Sequence, residues 1–500
     1  MLPTWKNDGV FSLLALQCAL QGLLVHSCPM NFSFRSFLTI CAVSWFSCAS
    51  PFVVAQGGGA ATTVQLPTFG VAIDAEGLLE VKTFADPGGR LKAERLAAAK
   101  GKLVGGLGRG AELRKISLRA LEQALVAAER AGKPPGDEPL HLAGLVQVKF
   151  VFVFPPTDDH PGDIILAGPA EGWIADPAGR AIGLATGRPI LLLEDLAVAL
   201  RAFPPGKVDH PFLGCTIDPT REGLARAMEF QKSVPHSIPQ AERNETAVRL
   251  ATGLAESLGR AEIRVFGVSP RTHFAQALVE ADYRMKRIAI GLEEPPIKMA
   301  TFIGVLRTPR EATLQRWWFT PAHKGVRVAE DGMALELVGT SVQLQSEDYR
   351  IGPTGKLEPT GQPVSQASEI YCRDFTQKYP AIAAASPVYA QMRGMMDLAI
   401  VAAALRKFDA YRKADWSAEL LRDESRLACE TLPAPKQVSC AVNAIWKGSR
   451  LLVPSGGGVT IIADEWLDEK KLLRDDQTRL LEQRTAAVAD EKDGAHWWWD

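Results

Sequence analysis

Between residues 146 and 292 short apolar runs alternate with helical stripes, and this alternation restricts the chain to a mixed α and β fold. VQVKFVFVF (146–154) is β-branched and aromatic, the composition of a strand. IILAG, GWIAD and AIGLA follow at short spacing, and Asp176-Pro177-Ala178-Gly179 supplies turn chemistry between the last two. FLGCTI then reads as a strand and residues 219–231 as a helix. Ala247, Leu250, Ala251, Leu254 and Leu258 form a helical stripe. EIRVFGV reads as a strand, Phe274, Ala277, Leu278, Ala281 and Met285 as a second stripe, and RIAIGL as a closing strand.

The flanks extend the pattern. Residues 71–83 alternate around Asp74-Ala75-Glu76-Gly77, which predicts a hairpin, and two helices follow. Leu118, Leu121, Leu125 and Ala128 share a face of the second, with Ser117 placed to cap it. Asp218-Pro219, Ser269-Pro270, Thr308-Pro309 and Ser386-Pro387 each put a capping side chain before a proline, the pattern of a helix start. Residues 317–349 read as antiparallel strands turning at Glu330-Asp331-Gly332. Residues 368–416 read as a helical region interrupted near Pro380 and Pro387. Gly456-Gly457-Gly458, between LLVP and VTII, reads as a strand turn or bulge rather than a phosphate cradle. The expected class is α+β, with Pro-initiated helices, an antiparallel segment and a helical C-terminal part.

An internal Met30 opens a complete secretory leader. Arg35 supplies the positive start, residues 37–46 the apolar run, and Val53-Val54-Ala55 a small-residue cleavage site before Gln56. Residues 1–29 then read as a misassigned upstream start, the alternative being a membrane-anchored N-terminal hairpin. The expected organisation is a leader at 30–55, a linker at 56–67, a small α+β segment at 68–136 and a central domain at 137–300. Antiparallel strands with a helical region at 301–462 and a charged tail at 463–500 complete it. The expected location is outside the cytoplasm: periplasm, cell surface or medium.

Net charge is −1 and no basic patch stands out, so nucleic-acid binding lacks electrostatic support. LAIVAAAL (398–405) is too short for a membrane span and reads as a buried helix. Cys215, Cys372, Cys429 and Cys440 follow the leader, and Cys429 and Cys440 bracket a Pro-containing loop that a local disulfide would close.

Chemistry-bearing candidates are sparse. Asp158, Asp159 and His160 are candidate metal ligands, against the reading of a solvated turn, since adjacent loop residues do not set a coordination geometry. Cys215 on a strand leading through Asp218 into a helix is a candidate nucleophile, with His210 near in sequence; a buried structural thiol is the competing reading. Arg284 and Arg287 complement a helix C-terminus or offer an anion or peptide contact. Trp497, Trp498 and Trp499 form a candidate interaction tail for a partner or a membrane interface, or a frayed end. G-x-S-x-G, H-E-x-x-H, Walker and G-x-G-x-x-G patterns after a strand are missing. No cofactor follows from any of this.

Long phrases carry a resemblance. GPAEGWIADPAGRAIGLATGRPILLLEDLAVALR (168–201), PFLGCTIDPTREGL (211–224) and ADYRMKRIAIGLEEPP (281–296), with RWWFTP, SPVYAQMRGMMDLAIVAAAL and SGGGV, resemble an uncharacterised family of secreted planctomycete-type bacterial proteins, a domain of unknown function. The resemblance spans roughly residues 140–462 and implies no activity, cofactor or catalytic residue. The expected function is that of an exported envelope protein with a binding, structural or interaction role and an envelope protein or peptide as partner. The alternative is an extracytoplasmic hydrolase or metal-dependent enzyme whose site is assembled from distant residues.

Overall fold

The alternation at the start of the domain folds into an antiparallel hairpin, Thr68–Ile73 with Leu78–Phe84, whose turn is fastened by the Leu78 N–H donating to the Asp74 carboxylate at 2.7 Å. The computed structural model describes residues 68–499 apart from 85, 87–89, 103–104, 235–238, 308–313, 340, 352–356, 360, 362–363, 444–453 and 490–498. The described residues belong to one compact unit, Val64–Asp500.

The hairpin is one end of a nine-stranded sheet. After Thr68–Ile73 and Leu78–Phe84 its spatial order is Gln437–Ser439, Arg260–Phe266, Leu213–Pro219, Pro454–Ile461, Leu314–Pro321, Val342–Ile351 and Leu357–Pro359. Two of its pairings are parallel, Gln437–Ser439 with Leu78–Phe84 and Pro454–Ile461 with Leu314–Pro321. A six-stranded sheet runs Leu473–Arg474, Gly325–Val328, Ala334–Val338, Phe150–Phe154, Asp163–Ala170 and Ala111–Ser117. Trp173–Ala175 and Ala181–Gly183 form a separate two-stranded ribbon. With the helices, this is the α+β class expected from the sequence.

Alternate residues of the large sheet point into the core. Trp317 and Phe319 are fully buried on that face and meet the rings of Tyr371 and Phe375, both on the helix Gln366–Ala385, at centroid distances of 5.9 and 5.4 Å. Pro380 lies inside that helix without ending it, and the break falls at Ser386, where Pro387 opens the helix Pro387–Lys407. This is the one described helix long and apolar enough to span a bilayer, and 89% of its apolar window is buried within the protein.

The glycine triplet lies inside a strand, beside a register shift at Gln315/Arg316. A Cβ on Gly458 would stand 2.1 Å from the Cys215 carbonyl oxygen, and one on Gly457 1.8 Å from that of Trp317. The missing side chains let three strands and a helix approach closely.

Several local expectations move. RIAIGL is not a strand; its first three residues close the helix His273–Ala289, Ile290 is the helix C-cap, and both of its isoleucines are buried. Pro219 ends a strand, and the next helix, Arg221–Ser233, is capped by Thr220, whose hydroxyl accepts the Gly223 N–H at 3.0 Å. Thr272, not Ser269, caps His273–Ala289. The Thr308-Pro309 start lies outside the described residues, as do the leader, with Ala55 and Gln56, and Trp497 and Trp498.

The expected Cys429–Cys440 bridge does not form; all four described cysteines are free thiols. The strand Gln437–Ser439 carries Cys440 to the apolar cluster of Leu224, Leu254 and Leu258, whereas Cys429 is held by its N–H donating to Glu424 at 2.8 Å. Trp499 turns back on its own chain. It bridges Ile116 on Ala111–Ser117, the outermost strand of the six-stranded sheet, and its ring lies 5.1 Å from the Arg114 guanidinium.

Gly458→Ala is expected to lower unfolding stability by about 3 kcal/mol, since the new methyl meets backbone rather than a yielding side chain. Urea denaturation checks this, and a loss near zero would mean that the strands stand farther apart.

Candidate functional site

The candidates named from sequence do not converge. Asp158, Asp159 and His160 form an exposed turn in which the Thr157 N–H donates to the His160 carbonyl at 2.8 Å. Among the described residues no group of three His, Cys, Asp or Glu is placed to hold a metal ion. His210 is exposed in the loop before Leu213–Pro219, while Cys215 on that strand is 1% exposed. Burial, then the charge of Asp282, pushes the Cys215 thiol well above the usual range against the pull of Lys286, the reverse of what a nucleophilic thiolate requires. Asp218 faces Arg316 at 3.4 Å across the bare backbone of Gly456.

A different set of residues does converge, around a cavity of about 520 Å³. Three helices and one turn bring in its charged groups and Gln391, and Gly70, Val71 and Phe84 of the first hairpin, with His141, Leu427 and Ala428, complete its wall. The first turn of Leu193–Ala202 brings Glu194 and Asp195, acidic residues suited to a helix N-terminus that lacks a side-chain cap. His273 opens His273–Ala289, and Gln391 lies in the second turn of Pro387–Lys407. The Asp176-Pro177-Ala178-Gly179 turn, with Gly179 at φ +85°, delivers Arg180 after the Arg180 N–H has bonded to the Asp176 carboxylate at 2.9 Å. Leu140, Ile190 and Leu192 give the cavity an apolar side.

The His273 Nδ1 lies 3.0 Å from both carboxylate oxygens of Asp195, and its Nε2 lies 3.2 Å from the Gln391 amide nitrogen. Burial alone would push the imidazole pKa down. The charge of Asp195 and its hydrogen bond, with Glu194 behind, outweigh that and raise it to about 9, so His273 is an imidazolium at neutral pH. Glu194 is shifted upward by burial and by Asp195, with His273 opposing.

Deeper in the wall the Arg180 guanidinium contacts both Glu280 oxygens at 2.6 and 2.7 Å. Glu280 also meets Arg284 at 3.4 Å, and Arg284 meets Glu293 at 2.8 Å. On another face of the same helix Lys286 pairs with Asp282 at 2.8 Å and donates to the Ile217 carbonyl at 3.0 Å, tying the helix to the sheet. Burial raises the Asp282 carboxyl to about 6 despite Lys286. A buried ion is tolerated only when it is paired, and here each has an opposite charge within reach.

Sequence reading passed over His273, Asp195, Glu194, Glu280 and Gln391. Their available signals were modest. Glu194-Asp195 sits just before an apolar helical run, and Glu280/Arg284 and Asp282/Lys286 have i,i+4 spacing, which on its own reads as an ordinary surface pattern.

Residues 215–302 match a family described as a protein of unknown function (DUF1598). The matched stretch contains His273, Glu280, Asp282, Arg284 and Lys286; Arg180, Glu194, Asp195 and Gln391 lie outside it. Comparison with curated proteins finds no match, and neither does comparison with solved structures.

Glu280→Gln removes the carboxylate shared by two buried guanidinium groups and is expected to cost about 3 kcal/mol. Glu80→Gln, in the exposed pair with Lys82, is expected to cost under about 0.5 kcal/mol. Parallel urea titrations measure both, and equal effects would deny the wall its buried-ion character.

Proposed function

We propose that this chain is an exported bacterial envelope protein that recognises a small polar ligand in the cavity bounded by Glu194, His273 and Arg180. The observation that carries this reading is the cavity itself: fixed charges of both signs and an apolar side enclose a volume suited to a small molecule. The leader at residues 30–55 supports export. The thiols fit an oxidising compartment, since burial holds Cys372 at about 12 and Cys429 and Cys440 at about 11, where few thiolates exist to react.

An enzyme is the second reading, and the Asp195–His273 pair favours it by supplying the oriented imidazole of a catalytic dyad. Two features weigh against it. No Ser, Thr, Cys, Tyr or Lys side chain is among the described residues lining the cavity, and an imidazole protonated at neutral pH is a poor general base.

A thermal-shift panel of amino acids, sugars, carboxylates and amines tests the binding reading. A ligand present at about 100 times its Kd adds about 2.7 kcal/mol of stability. At least one class is expected to raise Tm in the full chain, and Gln276→Trp, which fills the cavity wall, is expected to abolish the rise. A panel without any shift, or a shift unaffected by Gln276→Trp, would sink the reading. Export is checked by N-terminal sequencing of protein from the native envelope fraction. A start at Gln56 is expected, and a cytoplasmic chain that retains residues 30–55 would contradict it.

A further inference from the structure

The charged and amide donors that line the cavity are already engaged, and one carboxylate is not. Arg180 holds its Nη2 between both oxygens of Glu280, at 2.6 and 2.7 Å. The Gln276 amide donates to the Pro433 carbonyl at 2.8 Å. The His141 Nδ1 lies 2.8 Å from the Asp137 carbonyl, which can only accept. His273 is held by Asp195 on one side and hydrogen bonded to the Gln391 amide on the other. Glu194 differs from all of these. Its half-buried carboxyl lines the cavity and, among the described residues, accepts no hydrogen bond and joins no ion pair.

The balance of charge points the same way. Glu194, Asp195 and Glu280 outnumber Arg180 and His273 whether or not the imidazole is protonated, and Arg284 behind them is matched by Glu293. A carboxylate partly withdrawn from water without a partner is unfavourable, and a cationic N–H donor relieves it. Much of the remaining wall is apolar. Val71, Leu140, Ile190 and Leu192 offer surface that a hydrocarbon body would cover. Phe84 adds an aromatic ring that lies across Gly70, where a Cβ would stand 3.0 Å from the ring's Cε2. Such a ring attracts a cation through its π electrons and packs equally well against hydrocarbon.

Building on the binding reading above, we propose that the cavity takes an apolar primary amine, an alkyl- or arylalkylammonium ion. Its charged end meets the Glu194 carboxylate, and its hydrocarbon body lies against the apolar wall. A carboxylate or phosphate ligand would be repelled by Glu194 and would meet donors already engaged. A sugar would leave the Glu194 charge unmatched and the apolar wall uncovered. A divalent cation lacks a third ligand among the described residues.

Isothermal titration of the full chain with 2-phenylethylamine, 2-phenylethanol, 3-phenylpropanoate and ethylamine tests this. 2-Phenylethylamine is expected to bind. The alcohol, which lacks the charge, the acid, which reverses it, and ethylamine, which lacks the apolar body, are each expected to bind at least about tenfold more weakly. Glu194→Gln keeps the side-chain shape and removes the charge, and it is expected to erase the preference for the amine over the alcohol. If Glu194→Gln does not fold, as judged by circular dichroism, the comparison of the four probes on the unaltered chain decides. Binding of the alcohol or the acid as tight as that of the amine would overturn the amine while leaving a binding site in place. So would an amine preference that survives in a folded Glu194→Gln chain, or amine binding that persists in Gln276→Trp. Silence from all four probes in a protein that shows a cavity-dependent thermal shift with another compound would also overturn it. Silence from the probes and the wider panel together would remove both readings.

Discussion

The arrangement rests on burying a charged helix. In His273–Ala289 the residues Glu280, Asp282, Arg284 and Lys286 are each under 5% exposed, within little more than one and a half turns. An unpaired ion in such a place costs several kcal/mol, so the fold must bring a counter-charge to each one. Two pairings are internal to the helix at i,i+4 spacing, Glu280 with Arg284 and Asp282 with Lys286. The remaining partners come from elsewhere: Arg180 from a ribbon turn and Glu293 from the segment after the helix. Because these partners must reach the helix, the turn at Asp176-Pro177-Ala178-Gly179 is held against it, and one side of the cavity is set by the same contacts.

The sheet meets the helix on equally tight terms. Asp218, Gly456 and Arg316 lie opposite one another on three adjacent strands, and the central glycine leaves room for the outer two side chains to face each other. One residue on, Gly457 lets the Lys286 stem pass, so that the ammonium group reaches the Ile217 carbonyl. The glycine triplet therefore serves backbone approach and buried charge placement together. A larger residue there would push the helix outward and open the ion pairs to water.

Local signals made part of this legible. Turn residues located the first hairpin and the loop that carries Arg180, and apolar spacing identified His273–Ala289 through Phe274, Ala277, Leu278, Ala281 and Met285. Strand and helix fragments together led to the α+β class. The misreadings share a cause. Ile288 and Ile290 look like strand residues because a short apolar run buried on every side has no diagnostic period. The segment from Asp282 to Arg287 looks like a solvated helix end because burial depends on strands and a turn far away in sequence. His273, Glu194, Asp195 and Gln391 come from three helices, and no spacing rule links them. The expected disulfide failed for a comparable reason: the strand Gln437–Ser439, which pairs far from the loop, carries Cys440 on to Leu224, Leu254 and Leu258, while Cys429 stays tied to Glu424.

The central claim is that Asp195 holds His273 as a cation facing the cavity. Its folded pKa is raised, so the pair's stabilisation is complete below the unfolded value near 6.5 and fades as pH rises through about 9. The most direct measurement is an imidazole NMR titration of the full chain, with the His273 resonances assigned by substitution. The account predicts that the ring titrates near 9 and that Asp195→Asn returns it toward 6.5. A wild-type ring titrating at or below 6.5 would contradict it.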